Sequence, residues 1–361
     1  MRYNGVLTFM RKLIFIGAGV IVTGVLFLLY TWIAGGKSNV VTRLESTVNQ
    51  INTAVSGPTP TPFPFQELTI PHLRSRKYNS ALEGLEKVSE NDKYTSYLTG
   101  YDSDGLKING VLTEPKGPKP AGGWPAIVFL HGYIPPAQYQ TLTQYSSYVD
   151  YLASNGFVVF KIDLRGHANS EGEASGAYFS GDYIVDTLNA YNALQNSDLV
   201  NPKKIGLWGH SMAGNVVLRS SAVKPEIPAV VIWAGAVYTY GDMQEYGIDD
   251  GSYRPPEQTS QRQQRRQRLR DLYGDFTPES PFWKQMAPTN YLSDLKGALQ
   301  LNHAIDDNVV SIQYSRNLNS LLDKTSVPHE LNEYPGGGHN LSGSTFNQAM
   351  QNTVNFFKKH L

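Results

Sequence analysis

Residues 205–218 read IGLWGHSMAGNVVL, and this stretch decides the fold. The run at 205–208 is typical of a buried strand, and residues 212–223 are helix-like. Between them lies Gly209-His210-Ser211-Met212-Ala213, a G-x-S-x-(small) pattern. A tight strand-to-helix turn of this form projects the serine side chain at the sheet edge, and small residues at 209 and 213 let the backbone approach closely. The pattern therefore predicts Ser211 as a nucleophile rather than a structural turn serine.

The same alternation of strand and helix extends along the rest of the chain. Short apolar runs typical of buried strands lie at 126–130, 157–162, 229–233 and 298–301. Helix-like segments lie between or after them, at 144–154, 182–195, 212–223 and 312–322. This order predicts an α/β fold with a mostly parallel sheet and helices on both faces. A hairpin is expected before it, with strands at 94–101 and 106–113, and the polar segment 237–292 interrupts the rhythm as an insertion.

A serine nucleophile needs a base, and the base needs an acid that orients it. In this fold class the chain order is serine, acid, histidine. Four histidines follow Ser211 in the sequence, at positions 303, 329, 339 and 360. We expect His339 to be the base, because it lies in a glycine-rich loop, residues 335–340, after a strand-like segment at 329–334. Asp306 and Asp307 both follow the strand at 298–301, and spacing alone does not separate them as the acid.

From about residue 94 to 361 the sequence resembles an α/β-hydrolase. It most resembles the catalytic domain of the prolyl oligopeptidase (S9, serine peptidase) family and its dienelactone-hydrolase and esterase relatives. The motifs that carry the resemblance are Phe129-Leu130-His131-Gly132, Asp163-Leu164-Arg165-Gly166-His167, Gly209-His210-Ser211-Met212-Ala213-Gly214, the Asp306/Asp307 segment and Gly338-His339. The family's acid segment, H-G-x-x-D-x-x-V-P, laid on residues 303–311 implies Asp307 as the acid and leaves Asp306 as the alternate. Ala304 and Ser311 replace the usual Gly and Pro, so this motif is the weakest match.

The oxyanion formed during acyl transfer requires backbone donors near the nucleophile. One is expected to be the N–H of Met212, directly after Ser211, and the second should come from the loop after the strand at 126–130. The resemblance implies the N–H of Tyr133 for this second donor. Four polar residues near these motifs are interpreted as structural: His131, Asp163, Arg165 and His210.

These parts together predict a serine hydrolase that cleaves an ester or peptide bond of a small-molecule substrate through an acyl-enzyme. The family's peptidases usually carry a β-propeller, for which residues 34–93 are too few, so the insertion at 237–292 is the expected gate. Its Arg-rich stretch at 261–270 is either a solvated helix anchored by Leu269 and Leu272 or an anion-binding lid. The alternatives are a carboxylesterase or acyltransferase, and an inactive hydrolase-fold binding module.

The amino-acid composition excludes several classes of protein and of binding site. The chain has 31 Lys+Arg, 31 Asp+Glu and a formal net charge of +0, which argues against a nucleic-acid binder that relies on overall basicity. It has no cysteine, which excludes disulfides, zinc-thiolate sites and a cysteine nucleophile. No phosphate-binding glycine loop or metal-ligand spacing occurs, so neither a cofactor nor a metal is expected.

The N-terminal region has the character of a membrane segment. After a short tail at 1–12, residues 13–33 contain no charged residue, and about 20 such residues in a helix cross a bilayer core. A slight excess of basic residues before this run favours a cytoplasmic N-terminus and an extracytoplasmic catalytic domain. A cleaved signal peptide and a buried core helix are the competing interpretations. A polar spacer and Pro-rich linker at 34–65 then lead to the globular domain at 66–361.

Overall fold

The computed structural model describes residues 63–248 and 259–361, with side chains described outside 259–263. Within these residues nine strands form one sheet in the order β1-β2-β3-β5-β4-β6-β7-β8-β9. The strands are β1 Glu86–Glu90, β2 Tyr94–Ser103, β3 Leu106–Pro115, β4 Trp124–Leu130, β5 Val158–Ile162, β6 Val200–His210, β7 Ala229–Trp233, β8 Ala298–Ala304 and β9 His329–Tyr334. The pairings from β1 to β5 are antiparallel, and every pairing from β5 across to β9 is parallel. The predicted mostly parallel sheet is therefore present.

The helices cover both faces of this sheet. They are α1 Ile70–Ser75, α2 Ser146–Ser154, α3 Asp182–Gln195, α4 Met212–Val223, α5 Tyr240–Tyr246, α6 Thr259–Tyr273, α7 Pro281–Met286, α8 Gln313–Leu322 and α9 Ser344–His360. Helices α3, α4 and α8 contribute to one buried cluster, and α2 and α9 contribute to the other. The sequence patterns predicted α3 and α4 at these bounds, but they did not indicate α9.

Side chains of the central strands sort into the two cores by alternation. In β4, Val128 and Leu130 face the first cluster, whereas Ile127 and Phe129 face the second. Successive strand side chains point to opposite faces, so a strand covered on both sides needs a continuous apolar run. This is why the short apolar runs of the sequence mark the centre of the sheet.

The predicted hairpin is present as β2 and β3, with Ser103 paired to Leu106. The two residues between them, Asp104 and Gly105, have φ values of 58° and 79°. Two consecutive residues with positive φ are the requirement of a two-residue turn whose twist matches that of the strands. Asp-Gly meets this requirement at low cost.

The insertion at 237–292 contains helices α5, α6 and α7 and, in its described part, no strand of the sheet. Leu269 of α6 is buried as expected, but Leu272 is 54% exposed, so its prediction as an anchor was wrong. The aromatic side chains here pack on one another: the rings of Tyr273 and Phe282 stack at 3.9 Å, and Tyr240 lies 5.2 Å from Trp283. Tyr240, Phe282 and Trp283 belong to the first buried cluster, and Tyr273 packs against it, so the insertion shares the core of the domain.

Residues 64–361 form one compact unit. Across residues 63–248 and 259–361, no helix combines the length and apolar character needed to cross a bilayer. The predicted tail at 1–12, the predicted membrane helix at 13–33 and nearly all of the spacer at 34–65 lie outside the described residues.

Candidate active site

Ser211 lies at the turn between β6 and α4, with φ 53° and ψ −118°. A positive φ is strained for a serine, and here its neighbours hold it. The N–H of Ser211 donates to the main-chain carbonyl of Trp233 at 2.9 Å. A Cβ on Gly209 would stand 2.6 Å from the carbonyl oxygen of Ala213, so only glycine fits there. The sequence pattern predicted this sharp turn, which points the Ser211 side chain out of the sheet edge.

Asp307 contacts the predicted base. Its Oδ2 lies 2.8 Å from Nδ1 of His339, and its Oδ1 accepts the N–H groups of Val309 and Val310 at 2.8 and 3.0 Å. Burial by itself would raise the pKa of Asp307, but hydrogen bonds from His303, His339 and the backbone lower that pKa well below its usual range. The carboxylate therefore stays charged and orients the His339 ring.

Asp306 has a different set of partners, although it is the adjacent residue. Its Oδ1 accepts the N–H of Gly338 at 2.8 Å, and its Oδ2 accepts the N–H of Gly337 at 3.3 Å. Asp306 thus holds the backbone of the glycine loop, whereas Asp307 contacts the ring of His339. Spacing alone left these two residues open and the family resemblance implied Asp307; the geometry gives each a separate set of contacts.

His303 is a site residue that the sequence interpretation considered as a base and then gave no role. Its Nε2 lies 3.1 Å from Oδ2 of Asp307 and 2.9 Å from the carbonyl oxygen of Val310. Because both are acceptors, Nε2 carries a proton, and Nδ1 lies 2.8 Å from the Ser315 hydroxyl oxygen. The ring of His303 is fully buried and restrains the carboxylate of Asp307 through the hydrogen bond of its Nε2. The sequence signal for this contact was the spacing of His303 and Asp307, which are four residues apart at the end of β8.

Met212 and Tyr133 are the residues expected to donate their N–H groups to the oxyanion. Met212 is the first residue of α4, directly after the serine, and Tyr133 lines the same cleft as Ser211 and His339. This cleft has a volume of about 760 Å³. Of the described residues that line it, none is Asp, Glu, Lys or Arg. No described residue of the insertion at 237–292 lines this cleft, and its role as a gate stays a prediction.

Part of the wall of the cleft is aromatic. Tyr145, Tyr148 and Phe346 line it, and the rings of Tyr148 and Phe346 meet edge to face at 4.9 Å. Polar but uncharged side chains complete the lining, among them Gln144, Ser147, Asn340 and Ser342. Such a surface stabilises apolar or hydrogen-bonding groups and offers no counter-ion to a charged one.

The loop that carries Tyr133 is anchored on β5. Nζ of Lys161 donates to the carbonyl oxygens of Thr141 and Gln144, the latter at 2.6 Å. The carboxylate of Asp163 accepts the hydroxyls of Tyr139, at 2.8 Å, and of Thr141. Burial lowers the pKa of Lys161 to about 8 and raises that of Asp163 to about 6.

The other residues interpreted as structural also make internal contacts. Arg165 pairs with the buried Asp186 at 2.6 Å, and Nδ1 of His131 donates to the carbonyl of Gly132 at 2.7 Å. Within the described residues, no cluster of three or more His, Asp or Glu side chains is arranged to hold a metal.

Residues 143–361 match the prolyl oligopeptidase family (Peptidase S9). The chain belongs to the prolyl oligopeptidase family. It is also 26% identical over 241 residues to the uncharacterized peptidase YtmA of Bacillus subtilis (strain 168), a match that covers 65% of this chain and 82% of that protein. As a member of the prolyl oligopeptidase family it is a serine hydrolase, either a peptidase or an esterase. The alternative of an inactive binding module is therefore not retained.

Solved structures support the fold. An acetyl xylan esterase from Paenibacillus sp. R4 superposes with a TM-score of 0.60 at 17% identity and covers 81% of this chain and 92% of its own. The dipeptidyl peptidase 4 of Porphyromonas gingivalis has a TM-score of 0.57 at 20% identity over 74% of this chain. The match spans only 36% of that peptidase. At these identities the likeness shows the fold alone, which is that of an α/β-hydrolase, as predicted.

Proposed function

We propose that Ser211, His339 and Asp307 form the catalytic triad of this hydrolase. The observation that carries the proposal is the shared cleft: Ser211 on its strained turn and His339 line it together, and Nδ1 of His339 is 2.8 Å from Asp307. The hydrogen bond to Asp307 keeps the proton of neutral His339 on Nδ1, so Nε2 is free of a proton and can act as a base.

The reaction then follows from this arrangement. Nε2 of His339 takes the proton of the Ser211 hydroxyl as Oγ attacks the carbonyl carbon of the substrate. The N–H groups of Met212 and Tyr133 stabilise the oxyanion, and the imidazolium of His339 returns the proton to the leaving group. Water then attacks the acyl-enzyme by the same route in reverse, which releases the acid and restores Ser211.

A fluorophosphonate probe tests the triad, because it phosphonylates an activated serine. We expect the full chain to be labelled and Ser211→Ala to lose the label. Ser342→Ala is the matched control, since Ser342 lines the same cleft and should leave labelling unchanged. Labelling of Ser211→Ala at the wild-type level would show that another residue is the nucleophile.

For the bond that is cleaved, we propose first a peptidase of the prolyl oligopeptidase type, with support from the family membership and from the relative named as a peptidase. A carboxylesterase or acyltransferase is the second candidate. The uncharged aromatic cleft favours it, because the described lining holds no carboxylate for a substrate ammonium group and no cation for a carboxylate. A panel of p-nitrophenyl esters and aminoacyl p-nitroanilides separates them: turnover of esters without any amide cleavage would exclude the peptidase.

We further propose that residues 13–33 anchor the enzyme in a membrane with the catalytic domain outside the cytoplasm. The proposal rests on the absence of charge in this run and on the basic residues before it. An alkaline phosphatase fused to the C-terminus should be active. An inactive fusion, together with an active cytoplasmic reporter at the same position, would reverse the orientation.

A further inference from the structure

A chain of hydrogen bonds joins two loops that line the cleft. The N–H of Gly132 donates to the hydroxyl oxygen of Tyr145 at 2.9 Å, and that oxygen lies 2.7 Å from Nδ1 of His210. Nε2 of His210 lies 2.9 Å from the main-chain carbonyl oxygen of His339. Since Gly132 directly precedes Tyr133, the chain connects the loop of the proposed oxyanion donor to the loop of the proposed base.

The donor and the acceptor of each hydrogen bond follow from the two terminal groups, the carbonyl of His339 and the N–H of Gly132. The carbonyl of His339 can only accept, so Nε2 of His210 carries a proton. Burial, reinforced by the nearby His339, lowers the pKa of His210 to about 3, so the ring is neutral and its Nδ1 is an acceptor. The Tyr145 hydroxyl therefore donates to Nδ1, and its oxygen accepts the N–H of Gly132. Each donor has its acceptor in this single arrangement.

Packing leaves these groups little freedom to move. A Cβ added to Gly132 would stand 2.8 Å from the Tyr145 hydroxyl, 3.0 Å from Nδ1 of His210 and 3.2 Å from Cβ of Ser211. Tyr145 directly precedes α2, and Tyr148, in the first turn of that helix, donates to the carbonyl of Asn340 at 2.9 Å. The start of α2 thus contacts the loops on both sides of the nucleophile.

We propose that Tyr145 and His210 are positioning residues that fix the oxyanion loop and His339 relative to each other. Catalysis by preorganised donors depends on their aim, and a displacement of about 1 Å can cost a large factor in rate. If the chain is broken, the N–H of Tyr133 and the ring of His339 no longer converge on one carbonyl group. The inference rests on the proposed function, since it assumes that both loops act on the substrate.

Three variants of the full chain test this proposal: Tyr145→Phe, His210→Gln and the double variant. Tyr145→Phe keeps the aromatic wall of the cleft and removes one hydroxyl. We expect its kcat to fall about tenfold, less than the 10²–10³ that loss of a whole oxyanion donor costs, with KM within about twofold. Because the two residues act in one chain, the double variant should be no slower than the slower single variant.

Tyr151→Phe is the matched control, because Tyr151 lies on α2 and its hydroxyl donates to Gln351 at 3.2 Å, away from the cleft. It should retain the wild-type kcat. A Tyr145→Phe variant with the wild-type kcat would overturn the proposal, as would losses that multiply in the double variant. All rates are compared at equal folded fraction, measured by thermal melting.

A measurement on the unmutated protein covers the case in which the variants do not fold. With ¹⁵N-labelled histidine, the NMR signals of His210 should show a neutral ring with its proton on Nε2 at pH 5. A proton on Nδ1, or a charged ring at that pH, would overturn the chain. This measurement needs no activity, so it separates failure of the chain from failure of the proposed function, which appears as an unlabelled Ser211 in the wild type.

Discussion

Replacement of Asp307 by Asn should move the ring proton of His339 from Nδ1 to Nε2. Oδ1 of Asp307 accepts the N–H groups of Val309 and Val310, so an asparagine keeps its carbonyl oxygen in that place. Its NH₂ group then replaces Oδ2, which lies 2.8 Å from Nδ1 of His339 and 3.1 Å from Nε2 of His303. The N–H of His303 keeps the carbonyl oxygen of Val310 as its acceptor. Since an NH₂ group can only donate, Nδ1 must lose its proton and Nε2 must gain one. In that tautomer His339 does not accept the proton of Ser211.

The expected loss is large. A wrong tautomer of the catalytic histidine lowers kcat by about 10⁴, which corresponds to about 5.5 kcal/mol of transition-state stabilisation. Asp306→Asn is the matched control, because Asp306 accepts the N–H groups of Gly337 and Gly338 and an asparagine oxygen can keep one of them. One lost hydrogen bond is worth about 0.5–1.5 kcal/mol, so its rate should fall by about tenfold at most.

Steady-state hydrolysis of a p-nitrophenyl ester measures both variants, with the folded fraction checked by circular dichroism. If Asp307→Asn lost less than about tenfold while Asp306→Asn lost about 10⁴, the acid of the triad would be Asp306. Equal large losses in both variants would mean that the glycine loop, rather than the histidine tautomer, controls the rate.

Three further predictions follow from individual contacts. The pKa of His210 is about 3 in the folded protein and about 6.5 in the unfolded chain. Between these pH values the unfolded chain binds a proton that the folded protein does not, so the free energy of unfolding should fall as the pH drops from about 6.5 towards 3. His210→Gln should remove this part of the decline in urea titrations. Gly209→Ala places a Cβ 2.6 Å from the Ala213 carbonyl oxygen and should abolish probe labelling or soluble expression; normal labelling would contradict the tight turn. Phe346→Ala removes an edge-to-face partner of Tyr148 in the cleft wall. It should lower kcat/KM for bulky aromatic esters by about tenfold or more and leave kcat/KM for acetyl esters unchanged. Equal losses for both kinds of ester would assign Phe346 a structural role.

The sequence predicted those elements whose signal is local. The apolar runs of the central strands, the helix Asp182–Gln195 and the turn at Ser211 were all readable, because burial on both faces and a sharp strand-to-helix turn each require a particular run of residues. The sequence did not predict strand β1, because Glu86–Glu90 reads EKVSE, is largely exposed and has no apolar pattern. It is a strand because it pairs with β2, which is a non-local interaction.

The sequence by itself therefore determined the hydrolase fold, the nucleophile candidate and the base candidate, since each stands in a motif only a few residues long. Spacing did not separate Asp306 from Asp307 and the family resemblance only implied Asp307; the contact with His339 itself is seen in the tertiary structure alone, because adjacent side chains leave a loop in different directions. The hydrogen-bond chain through Tyr145 and His210 likewise joins residues that are 65 and 129 positions apart. Such contacts depend on where the strand ends bring separate loops together, and no local pattern encodes that distance.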